Sequence, residues 1–195
     1  MPKIVIISGP NGAGKSTLAP DLVRDALGIT EYVNADTIAA GLSAFAPEGA
    51  AFEAGRVMLH RLRALADEQR DFAFETTLAS KTYSRWIKSL RSAGYHVGLI
   101  FLWLESADLA VERVRTRVNA GGHDIPEKTI RRRYSRGIIN LTDLYLPLAD
   151  TWQIYDASRD LPKLIAQGSG NRQLEIVDPE SWKRIRTASI SKKTF

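Results

Sequence analysis

The run Gly9-Pro10-Asn11-Gly12-Ala13-Gly14-Lys15-Ser16-Thr17 fits the pattern G-x-x-x-x-G-K-[ST], and its residue types suit the binding of phosphate. Gly9, Gly12 and Gly14 let the backbone curl, so that successive N–H groups, those of Asn11, Ala13 and Thr17 among them, turn toward an anion. Lys15 reaches β- and γ-phosphates, and the Ser16 hydroxyl is a ligand for Mg²⁺. Two carboxylates stand where short apolar runs end: Asp36 after Tyr32-Val33-Asn34-Ala35, and Glu75, with Thr77 beside it, after Asp71-Phe72-Ala73-Phe74. Such a group takes the proton of an acceptor hydroxyl or helps position Mg²⁺. The plainer roles are a helix cap over Thr37–Leu42 for Asp36 and an ordinary salt bridge for Glu75.

Arginines complete the set. Arg113 and Arg117 are one helical turn apart, and Arg131, Arg132, Arg133 and Arg136 follow. A guanidinium offers several fixed donors to the oxygens of a transferring phosphoryl group. About half of the last four are expected to be merely solvated, with Arg133 nearest the face of Ile130 and Tyr134. His123 is either a loop contact or an exposed side chain.

The elements that must position these residues are legible from periodicity. Ile4-Val5-Ile6-Ile7 reads as a strand buried on both faces, which places the glycine loop between a strand and the helix predicted over Ser16–Leu27. Pro20 in its second turn forfeits a hydrogen bond and should bend it, and Gly28 ends it. Further helices are predicted over Pro47–Gln69, Thr82–Ala93, Ser106–Ala120, from Pro126 through Leu141, and Pro179–Ala188. Strands are predicted at Tyr32–Ala35, Asp71–Phe74, Tyr95–Leu104 and Trp152–Tyr155, with two more around the turn Gly168-Ser169-Gly170-Asn171. Gly121-Gly122 breaks the chain between two arginine-bearing helices, so residues about 113–137 read as a hinged lid. The alternation implies an α/β fold: a three-layer P-loop sandwich with a mostly parallel sheet, helices on both faces and a small helical lid. One domain over residues 1–195 is expected, ending in a hairpin and helix over about 158–190.

Composition narrows the function classes. The chain has no cysteine and three histidines, which excludes disulfides and thiolate metal sites. Its longest apolar run, Leu99–Leu104, is far too short to span a bilayer, so a soluble cytoplasmic protein with no membrane partner is expected. The net charge of +5 is unevenly placed: Arg113–Arg136 holds eight basic and two acidic residues, and Ser181–Phe195 holds five basic and none acidic. An anionic partner, nucleotide or nucleic acid, would meet those segments.

Taken together, GPNGAGKST, the Asn34-Ala35-Asp36 step, FETTLAS from Phe74 to Ser80 and RVNAGGHDIPEKTIRRRY from Arg117 to Tyr134 resemble the zeta-toxin-like family over about residues 3–157. The resemblance implies a small-molecule kinase using ATP and Mg²⁺, whose best-known members phosphorylate UDP-N-acetylglucosamine. It assigns Lys15 and Ser16 to ATP and Mg²⁺ and makes Asp36 the general base. Glu75 and Thr77 are given to the sugar, and an arginine in the Arg113–Arg117 helix, with cationic residues after it, to the transferring phosphate; Arg117 and Arg133 are the catalytic candidates, and Arg113 and His123 join Glu75 and Thr77 as substrate-binding candidates. Gly-Gly-His stands where the toxin prototypes would carry an arginine before the proline step. Three readings remain: a hydroxyl kinase acting on a nucleotide sugar or another small molecule; a nucleic-acid end kinase or repair ATPase; and a nucleotide-binding toxin–antitoxin component without kinase chemistry, with an antitoxin as partner.

Overall fold

The computed structural model describes residues 1–43, 49–122, 124–169 and 173–190. Its sheet has seven strands in the order β2-β3-β1-β4-β5-β6-β7. These are β1 (Lys3–Ser8), β2 (Tyr32–Val33), β3 (Phe72–Thr76), β4 (His96–Trp103), β5 (Thr151–Asp156), β6 (Lys163–Ser169) and β7 (Gln173–Ile176). The first five pair in parallel, and β6 and β7 add antiparallel at one edge.

The β-branched run of β1 sits at the centre, and its alternate residues feed two cores. Ile4 and Ile6 join Met58, Leu62 and Leu65 of α3 (Ala51–Asp67), Ile87 of α4 (Thr82–Ser92) and Ile138 of α6 (Glu127–Asn140). Val5 and Ile7 join Val23 and, from α5 (Ala107–Asn119), Ala110 and Val114. Helices therefore cover both faces, as parallel pairing demands, since only then are both sides of the sheet dry. Trp182 of α7 (Pro179–Ile190) stacks on Trp152 with the rings 9° from parallel and 5.9 Å apart. This closes the first core over β5.

Several local expectations need correcting. The helix after the loop is α-helical only over α1 (Lys15–Ala19) and continues as a π-helix over Pro20–Ala26. Pro20 has no N–H for the turn before it, and the wider i→i+5 bonding, as in Leu27 N–H to Leu22 O at 3.1 Å, absorbs the defect. The second strand stops at Val33, so Asp36 lies in the first turn of α2 (Ala35–Leu42) and not at a strand end. A second π-helical turn, Leu141–Tyr145, extends α6 where periodicity gave no sign of it. Gly168 and Ser169 belong to β6, whereas the turn at Gly170–Arg172 and the predicted start of α3 at Pro47 and Glu48 lie outside the described residues.

Candidate active site

Gly9, Gly12 and Gly14 have φ of 142°, 80° and 80°, a region that disfavours side chains, so the three glycines are required by the curl itself. The loop lies on α5, where a β-carbon at Gly12 would come within 3.0 Å of the Arg113 β-carbon. Lys15, only 6% exposed, donates to the Pro10 carbonyl at 2.9 Å and pairs with Glu75 Oε1 at 3.5 Å. Burial lowers its pKa, the carboxylates of Glu75 and then Asp36 raise it, and the charge of Arg117 lowers it again. Three chemically central side chains thus act on one ammonium.

Glu75 is the hub. Its Oε2 accepts from the Ser16 hydroxyl at 2.7 Å, the Tyr32 hydroxyl at 2.7 Å and Asn34 Nδ2 at 2.8 Å. A carboxylate so engaged is directed at the phosphate loop, and Glu75 also lines the cavity beside that loop. Ser16 gives its proton to Glu75 and accepts from Asn34 Nδ2 at 3.3 Å, so one lone pair of its hydroxyl is left for a cation. A hydroxyl backed by a carboxylate is the hard oxygen donor set that Mg²⁺ takes when substrate phosphates supply the rest, so the residues fit that ion. Among the described residues no cluster of three or more His, Cys, Asp or Glu forms another metal site.

Beside the loop is a cavity of about 400 Å³ whose walls come from α2, the end of β3 and α6. Lys15, Asn11, Asp36, Glu75, Thr77 and Arg133 all line it, although they are far apart in sequence. Asn11 is 7% exposed and its Oδ1 has no hydrogen-bond partner among the described residues, leaving a buried acceptor beside the cavity. Burial lowers the Arg133 pKa, and the Asp36 carboxylate opposes that shift. Asp36 does not cap its helix. Asn34 does, with its side-chain oxygen accepting from the N–H groups of Asp36 at 2.7 Å and Thr37 at 3.4 Å. Asp36 is left exposed on the cavity wall.

Other predicted residues fall elsewhere. Arg113 donates to the Ala157 carbonyl at 2.7 Å beyond β5 and does not line the cavity. Arg117 lies outside the cavity lining, yet near enough to act on Lys15. His123 lies outside the described residues. The glycine pair that breaks the chain after the predicted helix Ser106–Ala120 terminates α5. Gly121 takes φ 87°, and the N–H groups of Gly121 and Gly122 bond to Val118 O and Arg117 O, both at 2.9 Å, a Schellman cap.

Sequence reasoning missed the strap that shapes the far wall. Leu78 takes φ 55°, unusual for a branched side chain, and its N–H bonds to Thr76 Oγ1 at 3.1 Å. Asn140 Nδ2 holds the Leu78 carbonyl at 2.7 Å, and the Tyr145 hydroxyl holds that of Ser80 at 2.8 Å. Gly137 approaches the Thr77 carbonyl where no β-carbon fits. The glycine inside an otherwise amphipathic helix was the one available sign.

A larger concavity, about 950 Å³, is lined by Lys3, His96, Gln153, Gln167 and Glu175, among others. It includes the amino ends of β1 and β4 and none of the predicted site residues, whereas the smaller cavity lies at the carboxyl ends, where open parallel sheets take their ligands.

A family model described as an AAA domain, AAA_33, matches residues 4–136, a stretch running from β1 through the arginines of α6. The chain belongs to this family. A Haemophilus influenzae protein described as uncharacterized is 29% identical over 132 residues, 68% of this chain and 92% of its own length. Among solved structures, the AvrRxo1-ORF1:AvrRxo1-ORF2 complex with sulphate ions superposes with a TM-score of 0.76 at 13% identity, over 95% of this chain. This chain spans 63% of the length of that one. The same complex with ATP gives 0.73 at 14% identity, over 95% of this chain and 63% of that one. The PezAT chromosomal toxin–antitoxin system of Streptococcus pneumoniae gives 0.63 at 15% identity, over 100% of this chain and 88% of that one. The AAA_33 chain thus has a P-loop kinase-like fold, shared with these AvrRxo1 and PezAT structures. Among its described residues no helix is long and apolar enough to cross a membrane.

Proposed function

We propose that this AAA_33 protein is an ATP-dependent kinase that transfers the γ-phosphoryl group to a hydroxyl of a small molecule. One observation carries the reading: Lys15, Asp36, Thr77 and Arg133, contributed by separate elements, line one cavity beside the phosphate loop. Asp36, exposed and freed of capping by Asn34, takes the acceptor proton as the acceptor oxygen bonds to phosphorus and the bond to the β-phosphate oxygen breaks. Lys15 exchanges Glu75 and the Pro10 carbonyl for phosphate oxygens, while Arg133 and Arg117 meet the charge that spreads over the moving group. Mg²⁺, held through Ser16 with Glu75 behind it, would neutralise phosphate charge. Thr77 contacts the acceptor.

By the family resemblance, a nucleotide sugar such as UDP-N-acetylglucosamine is the leading acceptor, in the cytoplasm. The likeness to two-protein complexes supports an antitoxin-like protein partner. The end-kinase reading is weakened, because Arg115 and Arg131 pair with Glu127, Arg131 also with Asp108, and Arg184 and Arg186 lie over Trp103 and Trp182. Part of the basic charge is therefore already engaged within the fold. The test is transfer of label from ATP to a panel of sugars, nucleotide sugars and oligonucleotides, by wild type and Lys15→Ala. Label should pass to a small hydroxyl compound and be lost in the variant. Unchanged turnover by Lys15→Ala would remove the assignment.

A further inference from the structure

Three asparagines are buried among the described residues, and the fold treats one of them differently. Asn34 caps α2 through its oxygen and donates to Glu75 through its nitrogen. Asn140, 5% exposed, holds the Leu78 carbonyl at 2.7 Å. Asn11, 7% exposed, sits inside the phosphate loop, lines the cavity and has an Oδ1 that is buried without any hydrogen-bond partner among the described residues. Such an orphaned acceptor costs the free protein stability until a ligand's donor meets it.

The nucleotide does not supply that donor. Its phosphate oxygens are acceptors, as Oδ1 is, and two acceptors face to face repel. The donors of the cavity wall, Lys15, Arg132, Arg133 and Arg136, suit those phosphates, and none of them bonds Oδ1. The missing hydrogen is therefore one carried by the compound that shares the cavity with the nucleotide. Asp36, on the same wall, takes the proton of the reacting hydroxyl, so one hydroxyl cannot satisfy both groups. A cavity of about 400 Å³ brings both within reach of a single small molecule that bears two donors.

We infer that Asn11, through Oδ1, reads a second O–H or N–H of the acceptor, set close to the hydroxyl that is phosphorylated. The enzyme then selects polyhydric or amide-bearing acceptors over simple alcohols, with Asp36 on the reacting hydroxyl and Asn11 on its neighbour. The backbone N–H of Asn11 stays with phosphate while its side chain serves the acceptor, so one loop residue aligns the two substrates. This inference rests on the kinase reading and adds to it which part of the acceptor is recognised.

The experiment takes each compound that accepts label from ATP and pairs it with analogues lacking one neighbouring hydroxyl or amide N–H, such as glucose with 2-deoxyglucose and UDP-N-acetylglucosamine with its 4-deoxy form. One such loss should lower kcat/KM of wild type by roughly 10- to 100-fold, because it leaves the buried oxygen unpaired. Asn11→Ala should lower kcat/KM for the complete acceptor by a similar factor and treat the matching analogue as wild type does. Its affinity for a non-hydrolysable ATP analogue with Mg²⁺, measured by calorimetry, should change less than about threefold. Without ligands, Asn11→Ala should melt within about 2 °C of wild type, whereas Asn140→Ala, which strips the Leu78 carbonyl of its donor, should melt several degrees lower. Transfer indifferent to every neighbouring donor, or lowered equally with and without that donor in Asn11→Ala, overturns the inference and leaves the kinase reading standing. A large loss of affinity for the ATP analogue also overturns it, by giving the amide to the nucleotide or its metal. A melt as low as that of Asn140→Ala does the same, by giving the amide a partner within the fold. If wild type transfers label to no compound, the kinase reading fails and this inference falls with it.

Discussion

Gly137 of α6 faces the carbonyl of Thr77 so closely that a β-carbon on it would lie 2.6 Å from the oxygen. The helix bearing Arg132, Arg133 and Arg136 is seated directly on the strand end bearing Glu75 and Thr77, with no side chain between them. Gly137→Ala must therefore push α6 outward and carry Arg133 away from Asp36. A loss of about 1–3 kcal/mol of stability, with a fall in turnover larger than any fall in ATP affinity, is the expected outcome. Gly55→Ala on α3 has open space around it and should be neutral or slightly stabilising. Full activity in Gly137→Ala would show that this contact does not set the site geometry.

Asp36 and Asn34 separate two roles that one acidic residue would otherwise combine. Asp36→Asn should leave folding and ATP binding intact and lower turnover by about 10²-fold or more. Asn34→Ala removes the acceptor for two N–H groups and costs about 1 kcal/mol, and it also strips one donor from Glu75. Thermal melts paired with turnover distinguish them, and a cap defect in Asp36→Asn would return that residue to a structural role.

Arg117→Ala and Arg133→Ala should each slow transfer strongly while changing ATP affinity less, since a guanidinium meets charge that grows in the transition state. Lys should substitute poorly at either position, lacking the planar fork. Should both Ala variants keep full kinase activity and instead lose oligonucleotide binding, the nucleic-acid reading takes over.

Alkaline pH offers a test of the packed core. Burial raises the pKa of Tyr32, Tyr83, Tyr95, Tyr134, Tyr145 and Tyr155, which are all six tyrosines, with Tyr134 pushed up to about 12. A phenol whose folded pKa exceeds its unfolded one stabilises the fold while protonated. That contribution is complete below the unfolded value of about 10 and is lost as pH rises through the folded value. Phenolate absorbance and loss of circular dichroism should appear together, above pH of about 10. Smooth ionisation near pH 10 with the dichroism unchanged would contradict the burial.

The phosphate loop was legible in the sequence because its chemistry is local. Curl, charge and helix entry lie within one run, Gly9–Thr17, and the apolar run of β1 dictates burial on both faces. The parallel sheet followed from alternation for a similar reason, since each element's periodicity states which faces need covering.

The residues facing the loop were only partly legible. Asp36, Glu75 and Thr77 stood out by following short apolar runs, but periodicity says nothing about which neighbour a carboxylate meets. Glu75 meets Ser16 because β3 lies beside β1, with Ile7 opposite Glu75, and that pairing spans a long stretch of sequence. Asn34 took the cap from Asp36 because β2 ended two residues sooner than its composition indicated.

By itself, the sequence determined the anion-binding loop, the two cores and the three layers, since glycine placement and hydrophobic period act over neighbouring residues. Only the tertiary structure decided that Gly137 seats α6 on Thr77, that Arg113 anchors the Ala157 carbonyl, and that Arg132 and Arg136 enter the cavity while Arg131 turns outward. Arginines on one helix look alike in sequence. What distinguishes them is the angle at which α6 packs, set by the close approach of Gly137 to a backbone oxygen some sixty residues away in the chain.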